Sequence, residues 1–348
     1  MLQRTEQEIM KDWNYSDKPL VSVCCVTYNH ESYIRDAIEG FLMQETSFPF
    51  EVIIHDDASK DHTVDIIREY VARYPRIIKP IFQEKNQYSK GIKISPTFVW
   101  PKAKGKYVAL CEGDDYWTDQ LKLQIQITEM SKYPECDISF HIASMYYVDK
   151  SRPNMIFGQV RNKTGIVPLK EVIRGGGGFF ATASIVVRKK ILEELPRWFY
   201  KEAPVGDLFV QLYGAKRGGA LYINKNMATY RAMVPGSWSQ RNQEERGAFA
   251  AASIDNFRKC FDLLKDDFEM ENYKDIDYIK SLRLFSCAAV FLTQKEFQKF
   301  STVIMESYSV YPKLSIKQVL LYLARNIPYL PYSYYRFKCF LKNYVSLV

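Results

Sequence analysis

What this chain lacks narrows its function before any motif is read. Its seven cysteines show no C-x-x-C spacing, which removes the common zinc and dithiol arrangements. No uninterrupted apolar run reaches the roughly 18–20 residues that a membrane-spanning helix needs. His30, His55, His62 and His141 have no i, i+4 or H-x-E spacing, so a histidine-built zinc centre is not expected. Two nucleotide fingerprints are also missing. No G-x-G-x-x-G follows the first apolar run, against a dinucleotide oxidoreductase, and no G-x-x-x-x-G-K-[ST] marks a P-loop. Gly175–Gly178 reads as a flexible loop rather than a phosphate cradle, because no strand leads into it.

The residues that are present describe a globular chain. At 348 residues it is long enough for one large α/β domain with an appendage. The net charge of +8 is unevenly spread. Lys313, Lys317, Arg325, Arg336, Lys338 and Lys342 fall after residue 306, where no Asp or Glu occurs, so the rest is nearly neutral. Cys24, Cys25 and Cys111 sit in apolar runs, where a thiol behaves as a small hydrophobe. An odd cysteine count without a framework, and a polar MLQRTEQEIMKDW start without a signal-peptide core, lead us to expect a reducing, cytoplasmic setting.

From about residue 19 to 140, short apolar runs alternate with helical patterns. Val21–Val26, Phe50–Ile54, Ile78–Phe82 and Tyr107–Cys111 read as strands, with another near Asp137–Phe140. Ile34, Ala37, Ile38, Phe41 and Leu42 recur at helical spacing, and Val64, Ile67 and Val71 do so behind Thr63, read as a cap. Helices are expected around Phe98 and from Asp119 to Met130, and a strand over Ala183–Val187. Strand–helix alternation of this kind predicts a parallel sheet with right-handed crossovers. From Glu244 the pattern is mostly helical.

Ligands of open parallel sheets bind beyond the carboxyl ends of the strands. Three strands here end in polar clusters: Thr27-Tyr28-Asn29, Asp56-Asp57 and Glu112-Gly113-Asp114-Asp115. A lone Asp at a strand end is commonly a turn former; three clusters on one sheet edge are harder to explain that way. Gathered carboxylates repel one another unless a positive group sits among them. They suit a hard divalent cation, Mn2+ or Mg2+, held by one or two carboxylates and the phosphates of a substrate. Tyr28 could stack on a base.

These segments resemble the opening of the family 2 glycosyltransferases. The resemblance is carried by Pro19–Val23 through Thr27-Tyr28-Asn29-His30, Ile38–Gln44, VIIHDDASKDHT from Val52 to Thr63, and YVALCEGDDYW from Tyr107 to Trp117. It is strong over residues 19–120 and looser to about 240. It implies a GT-A-like α/β fold, a mostly parallel sheet flanked by helices; nothing after residue 245 resembles the family, and the helical, basic C-terminal extension is read from the residue pattern there. Residues 1–245 would form the catalytic domain and 246–348 a helical region. It implies a metal-dependent, inverting hexosyltransferase. That enzyme would use a nucleotide-sugar donor, most simply UDP-linked, and act on a saccharide or lipid-linked saccharide in cell-surface polysaccharide synthesis.

By the same resemblance, Thr27, Tyr28 and Asn29 contact the nucleoside, and Asp56 or Asp57 reaches the base or ribose. Glu112-Gly113-Asp114 stands where the family has Asp-x-Asp, so Asp114 coordinates the metal, while Glu112 departs from the usual Asp. Asp115 supports the donor or acceptor side or caps the following helix. Family members place the general base in an acidic pair at a helix start. Here Val205-Gly206-Asp207-Leu208 occupies that place, with Asp207 as the base and Gly206 in place of the common Glu. Tyr230-Arg231, followed by Pro235-Gly236-Ser237-Trp238, resembles the closing loop; Met233 stands where members often carry a His, so the diphosphate contact would come from Arg231, Arg241 or Trp238. The acceptor is expected between Asp207 and the loop around Gly175–Ala183.

The tail adds a second theme. Ile316, Val319, Leu320, Leu323 and Ile327 share one helical face, and aromatics interleave with Arg336, Lys338 and Lys342. Residues 313–348 therefore read either as an element for an anionic membrane surface or as a helix packed on the body. Nucleic acid is not an expected partner, since the body gathers acidic residues; homo-oligomers stay open. Two other functions remain: a nucleotidyltransferase, which would want a Gly-rich basic loop after the first strand, and a non-catalytic scaffold of the same fold.

Overall fold

In the computed structural model, which describes residues 4–13, 18–237, 239–241 and 251–334, the first apolar run becomes β1, Val21–Thr27, the hub of a ten-stranded mixed sheet. The other strands are β2 Phe50–Asp56, β3 Ile78–Phe82, β4 Tyr107–Leu110, β5 Tyr116–Trp117, β6 Ile138–Tyr147, β7 Met155–Phe157, β8 Gly165–Val167, β9 Val186–Arg188 and β10 Ala220–Ala232. The helices are α1 Glu6–Met10, α2 Ile34–Leu42, α3 Thr63–Arg73, α4 Lys122–Lys132, α5 Leu169–Gly175, α6 Lys189–Glu193, α7 Arg197–Glu202 and α8 Asp207–Ala215. Beyond them come α9 Ile254–Asp267, α10 Tyr273–Thr293, α11 Phe297–Val310 and α12 Ile316–Leu323. The chain divides into two compact units. One holds Met1–Val172, Gly176–Tyr200 and Val205–Val234; the other holds Ile173–Gly175, Lys201–Pro204 and Pro235–Val348.

The sheet of the first unit runs β3-β2-β1-β4-β9-β6-β10-β5. β1, β2, β3 and β4 pair in parallel, as do β6 and β10. β1, β2 and β4 are buried along nearly their whole length, which explains their continuous apolar sequence. The alternation predicts this largely parallel α/β sheet, and the family resemblance implies its GT-A-like form. One strand departs from the pattern: β9 runs antiparallel between β4 and β6. It adds an opposite-running strand without reversing the main direction.

Several element boundaries differ from the sequence reading, each for a local reason. The helix expected from Asp119 starts at Lys122, because Asp119 Oδ1 accepts the Leu121 N–H at 2.8 Å and closes a turn first. The strand expected over Asp137–Phe140 runs on to Tyr147, since β10 pairs with it over ten positions. The strand expected at Ala183 begins at Val186. Thr182–Ser184 is a tight turn whose carbonyls are taken by side chains: Trp117 Nε1 donates to Ala183 O at 3.0 Å and Gln126 Nε2 to Ser184 O at 3.0 Å. Gly176–Gly178 is a short helical turn. Thr63 is the first residue of α3, not its cap. Its hydroxyl donates to Asp61 and accepts the His30 N–H at 2.8 Å, which ties β1's loop to α3.

The second unit is helical. Its core holds Ile254, Leu284, Ala288, Phe291, Phe300 and Ile304. Gln318 of α12 crosses into that unit's interior, where Nε2 donates to Ser281 Oγ at 3.0 Å and Ser307 Oγ at 2.9 Å. Among the described residues no helix is long and apolar enough to cross a membrane.

Inside the first unit lies an unusual cation. Lys122 is fully buried, donates to Gln126 Oε1 at 2.7 Å and sits 4.0 Å from the centre of the Trp117 ring. Burial pulls its amine from 10.5 down to about 7. Below pH 7 the folded chain therefore carries the full penalty of a buried charge. Between about 7 and 10.5 the unfolded chain binds more protons than the folded one, so stability rises with pH. Denaturant titrations across that window should show wild type gaining on Lys122→Met by up to about 1.4 kcal/mol per pH unit. A flat difference would show that the amine stays charged.

Candidate active site

The polar clusters meet because their strands are in register. Thr27 pairs with Asp56 across the β1–β2 ladder, and beyond β4 the Gly113 N–H donates to Val26 O at 2.9 Å. Gly113 is needed there: a Cβ would lie 2.8 Å from both Cβ and Oγ1 of Thr27. Tyr28 emerges from this edge 37% exposed. Asn29 takes a left-handed turn (φ 54°) that its short amide tolerates, and Oδ1 accepts the Lys60 N–H at 2.8 Å.

At the end of β2 both carboxylates are buried and hold turns. Asp56 accepts from the backbone N–H of Ser59 at 2.9 Å and from its hydroxyl. Burial raises its pKa and the Ser59 bonds work against that rise. Asp57 grips the loop after β3, accepting the Gln87 and Tyr88 N–H groups at 2.8 and 2.9 Å. Neighbouring His55 stacks on Phe98 and meets Gln83 at 3.0 Å; burial lowers its pKa. The role of Asp57 in organising residues 86–88 is not visible from sequence, where that loop has no motif.

The acidic turn lies beside these groups. Glu112 opens to solvent on one side. The protein walls round its carboxyl, joined by the charges of Asp114 and Asp207, nevertheless push its pKa up to about 8. Asp114 is nearly buried, with His30 Nε2 3.9 Å from its Oδ2. Asp115 is fully buried and its pKa lies well above the usual carboxylate range, through burial and then the charges of Asp114 and Glu112.

Arg231 organises that turn. β5, immediately after it, pairs antiparallel with β10, and this brings Arg231 alongside. The Arg231 N–H donates to Asp115 Oδ1 at 2.8 Å, and Nη1 donates to Asp114 O at 2.9 Å. Nη2 reaches Asp36 of α2, and the guanidinium lies between the rings of Tyr33 and Tyr116, at 5.2 and 4.3 Å. Its fork is thus committed within the protein. Asp36, Tyr33 and Tyr116 escape a sequence reading, because only the tertiary approach of α2 and β10 gives them a role. Trp238 lies outside the described residues.

Asp207 opens α8, and its Oδ1 accepts the Leu208 N–H at 2.8 Å. A helix N-terminus favours negative charge at that point. A Cβ built on Gly177 would lie 3.8 Å from Asp207 Oδ1, so the glycine turn borders this carboxylate. Asp207's charge is felt at Glu112, although the two are 95 residues apart in sequence.

Among the described residues no three His, Cys, Asp or Glu groups are arranged to cage a metal ion. The donor chemistry still fits a divalent cation that brings phosphate ligands with it: Asp114 and Glu112 supply hard oxygens and repel each other without one. Three buried polar atoms at this edge, Thr27 Oγ1, His30 Nδ1 and Asp115 Oδ2, have no hydrogen-bond partner among the described residues. Buried polar groups normally do.

Comparison with known proteins bears on the same region. Residues 22–195 match the model of glycosyl transferase family 2. The uncharacterized protein Rv1520 of Mycobacterium tuberculosis is 35% identical over 227 residues, covering 65% of this chain and 62% of that protein. The chain thus spans just over three fifths of that relative. The Escherichia coli UDP-Glc:alpha-D-GlcNAc-diphosphoundecaprenol beta-1,3-glucosyltransferase WfaP is 36% identical over 132 residues, 38% of this chain and 47% of that one. In fold, S. aureus TarS 1–349 in complex with UDP-GlcNAc superposes with a TM-score of 0.60 at 17% identity, covering 90% of this chain and 88% of that chain.

The close approach of β1 and the acidic turn gives a direct test. Gly113→Ala must push Thr27 away, and we expect a loss of about 1–3 kcal/mol in urea denaturation. Wild-type stability in that variant would mean the two strand ends are not held so tightly.

Proposed function

The chain belongs to glycosyl transferase family 2, and from that premise we propose that it moves a sugar from a nucleoside diphosphate donor to a hydroxyl of a saccharide or lipid-linked saccharide, with inversion. The observation that carries this reading is the strand register that brings Thr27, Asp56 and the Glu112–Asp114 turn to one sheet edge, with Asp207 among the charges that raise the Glu112 carboxyl. Inverting transfer needs that arrangement: a carboxylate for the acceptor on one side of the sugar and a site for the leaving phosphates on the other.

Asp207 takes the proton of the acceptor hydroxyl as its oxygen bonds to the anomeric carbon. The bond from that carbon to the diphosphate oxygen breaks, and its electron pair leaves with the nucleoside diphosphate. Asp114, with Glu112 beside it, would hold a Mn2+ or Mg2+ ion, which when bound offsets charge on the departing phosphates. Thr27, Tyr28 and Asn29 line the nucleoside side, with Tyr28 presenting its exposed ring to the base. Asp56 and Asp57 shape that side by fixing the Ser59 turn and the 86–88 loop. Asp115 and Arg231 keep the acidic turn in place. The acceptor lies between Asp207 and the turn at Gly177.

A UDP-linked donor is supported by the UDP-Glc and UDP-GlcNAc that the names of WfaP and the TarS complex carry. The diphosphoundecaprenol in WfaP's name supports a lipid-linked acceptor, the reading on which a role in cell-surface polysaccharide assembly rests. Catalysis is assigned to residues 1–245.

Two measurements test the assignment. Asp207→Asn should lower turnover by about 10²–10⁴-fold while leaving donor affinity within a few fold; an active Asn variant would remove Asp207 as base. Thermal shifts with UDP-, GDP- and TDP-sugars in Mn2+ should pick out one nucleotide, and Asp114→Asn should abolish that shift. Equal shifts in the variant would overturn the metal role of Asp114.

A further inference from the structure

In the second unit α12, Ile316–Leu323, has two chemically opposed sides. Gln318 fixes which side faces inward. Its Nε2 donates to Ser281 Oγ, Ser307 Oγ and Tyr311 O, at 3.0, 2.9 and 3.2 Å, and its Oε1 accepts the Leu314 N–H at 2.9 Å. Tyr322 stacks on Tyr308 with 4.0 Å between ring centres, and Leu321 packs on the same core. The outward side is apolar. Ile316, Leu320 and Leu323 are 59–79% exposed, and the row continues through Ile327, Leu330 and Tyr334. The steps of four and three residues keep Ile316, Leu320 and Leu323 on one face of α12.

The row is flanked by positive charge. Lys313 and Lys317 are exposed, Arg325 lies over the Tyr322 ring, and no Asp or Glu occurs after residue 306. A second copy would bring the same charge against itself. The row also lacks the continuous helix that a helix–helix seam needs, because the chain turns over residues 324–328 and Pro328 cannot extend α12. A lipid surface tolerates that break, takes apolar side chains to shallow depth and attracts lysines through its anionic headgroups.

We propose that residues 313–334 dock this unit on an anionic membrane surface. Ile316, Leu320, Leu323, Ile327 and Leu330 enter the headgroup boundary, and Lys313 and Lys317 meet the lipid phosphates. The inference stands apart from sugar transfer, since none of these residues belongs to the catalytic site.

Co-sedimentation of the full chain with vesicles rich in phosphatidylglycerol, and with vesicles of phosphatidylcholine alone, tests it. Wild type should pellet with the anionic vesicles and release as salt is raised. Leu320→Gln/Leu323→Gln should bind at least about tenfold more weakly with an unchanged melting temperature, because both residues are already exposed. Lys313→Glu/Lys317→Glu should weaken binding further at low salt than at high salt. Equal binding to both vesicle types, or unchanged binding by the leucine variant, overturns the proposal. So does a solution dimer of wild type that the leucine variant turns into monomers, since the face would then meet a second copy.

Discussion

Carboxylates that repel one another have to be kept within reach at one sheet edge, and much of the first unit serves that requirement. Glu112, Asp114 and Asp115 follow β4 within five residues, and Asp207 arrives from the start of α8. Two devices hold them. The Thr27–Gly113 approach locks the acidic turn against β1, with no room for a side chain between. Arg231, delivered by the β5–β10 pairing, binds the same turn through Asp115 and the Asp114 carbonyl and reaches Asp36 on α2. Arg231 is thus a fixed internal cation, while the repulsion left at Glu112 is what an incoming cation would relieve.

Much of this site was legible in the sequence, for physical reasons. β1, β2 and β4 are covered on both faces, so they read as nearly unbroken apolar runs and their polar ends stand out. Asp207 was singled out by the family resemblance, and its place at a helix start was readable from the apolar helix directly behind it. Pairing was not readable. Short β9 offers three residues of signal, and its antiparallel insertion between β4 and β6 depends on contacts far apart in the chain. Thr63 looks like a cap because its type suits one; only the approach of His30 turns its hydroxyl to another use. Asp56 and Asp57 showed their place but not their work. In the fold their oxygens hold Ser59 and the 86–88 loop.

The second unit uses a different logic. Its core is apolar, yet it admits a closed set of hydroxyl and amide groups around Gln318, Ser281 and Ser307. A buried amide with partners for both its ends fixes rotation about the helix axis more sharply than leucines alone could. That rotation leaves Ile316, Leu320 and Leu323 outward, although their sequence pattern alone would suit burial.

One further consequence lies in how Asp57 holds its loop. The carboxylate binds main-chain amides of Gln87 and Tyr88, not their side chains. Any residue other than proline supplies the same amide at those two positions. The side chains there can be exchanged in evolution while the anchor stays unchanged. That stretch of the sheet's edge is therefore a place where surface chemistry can change at little cost to the scaffold that carries it.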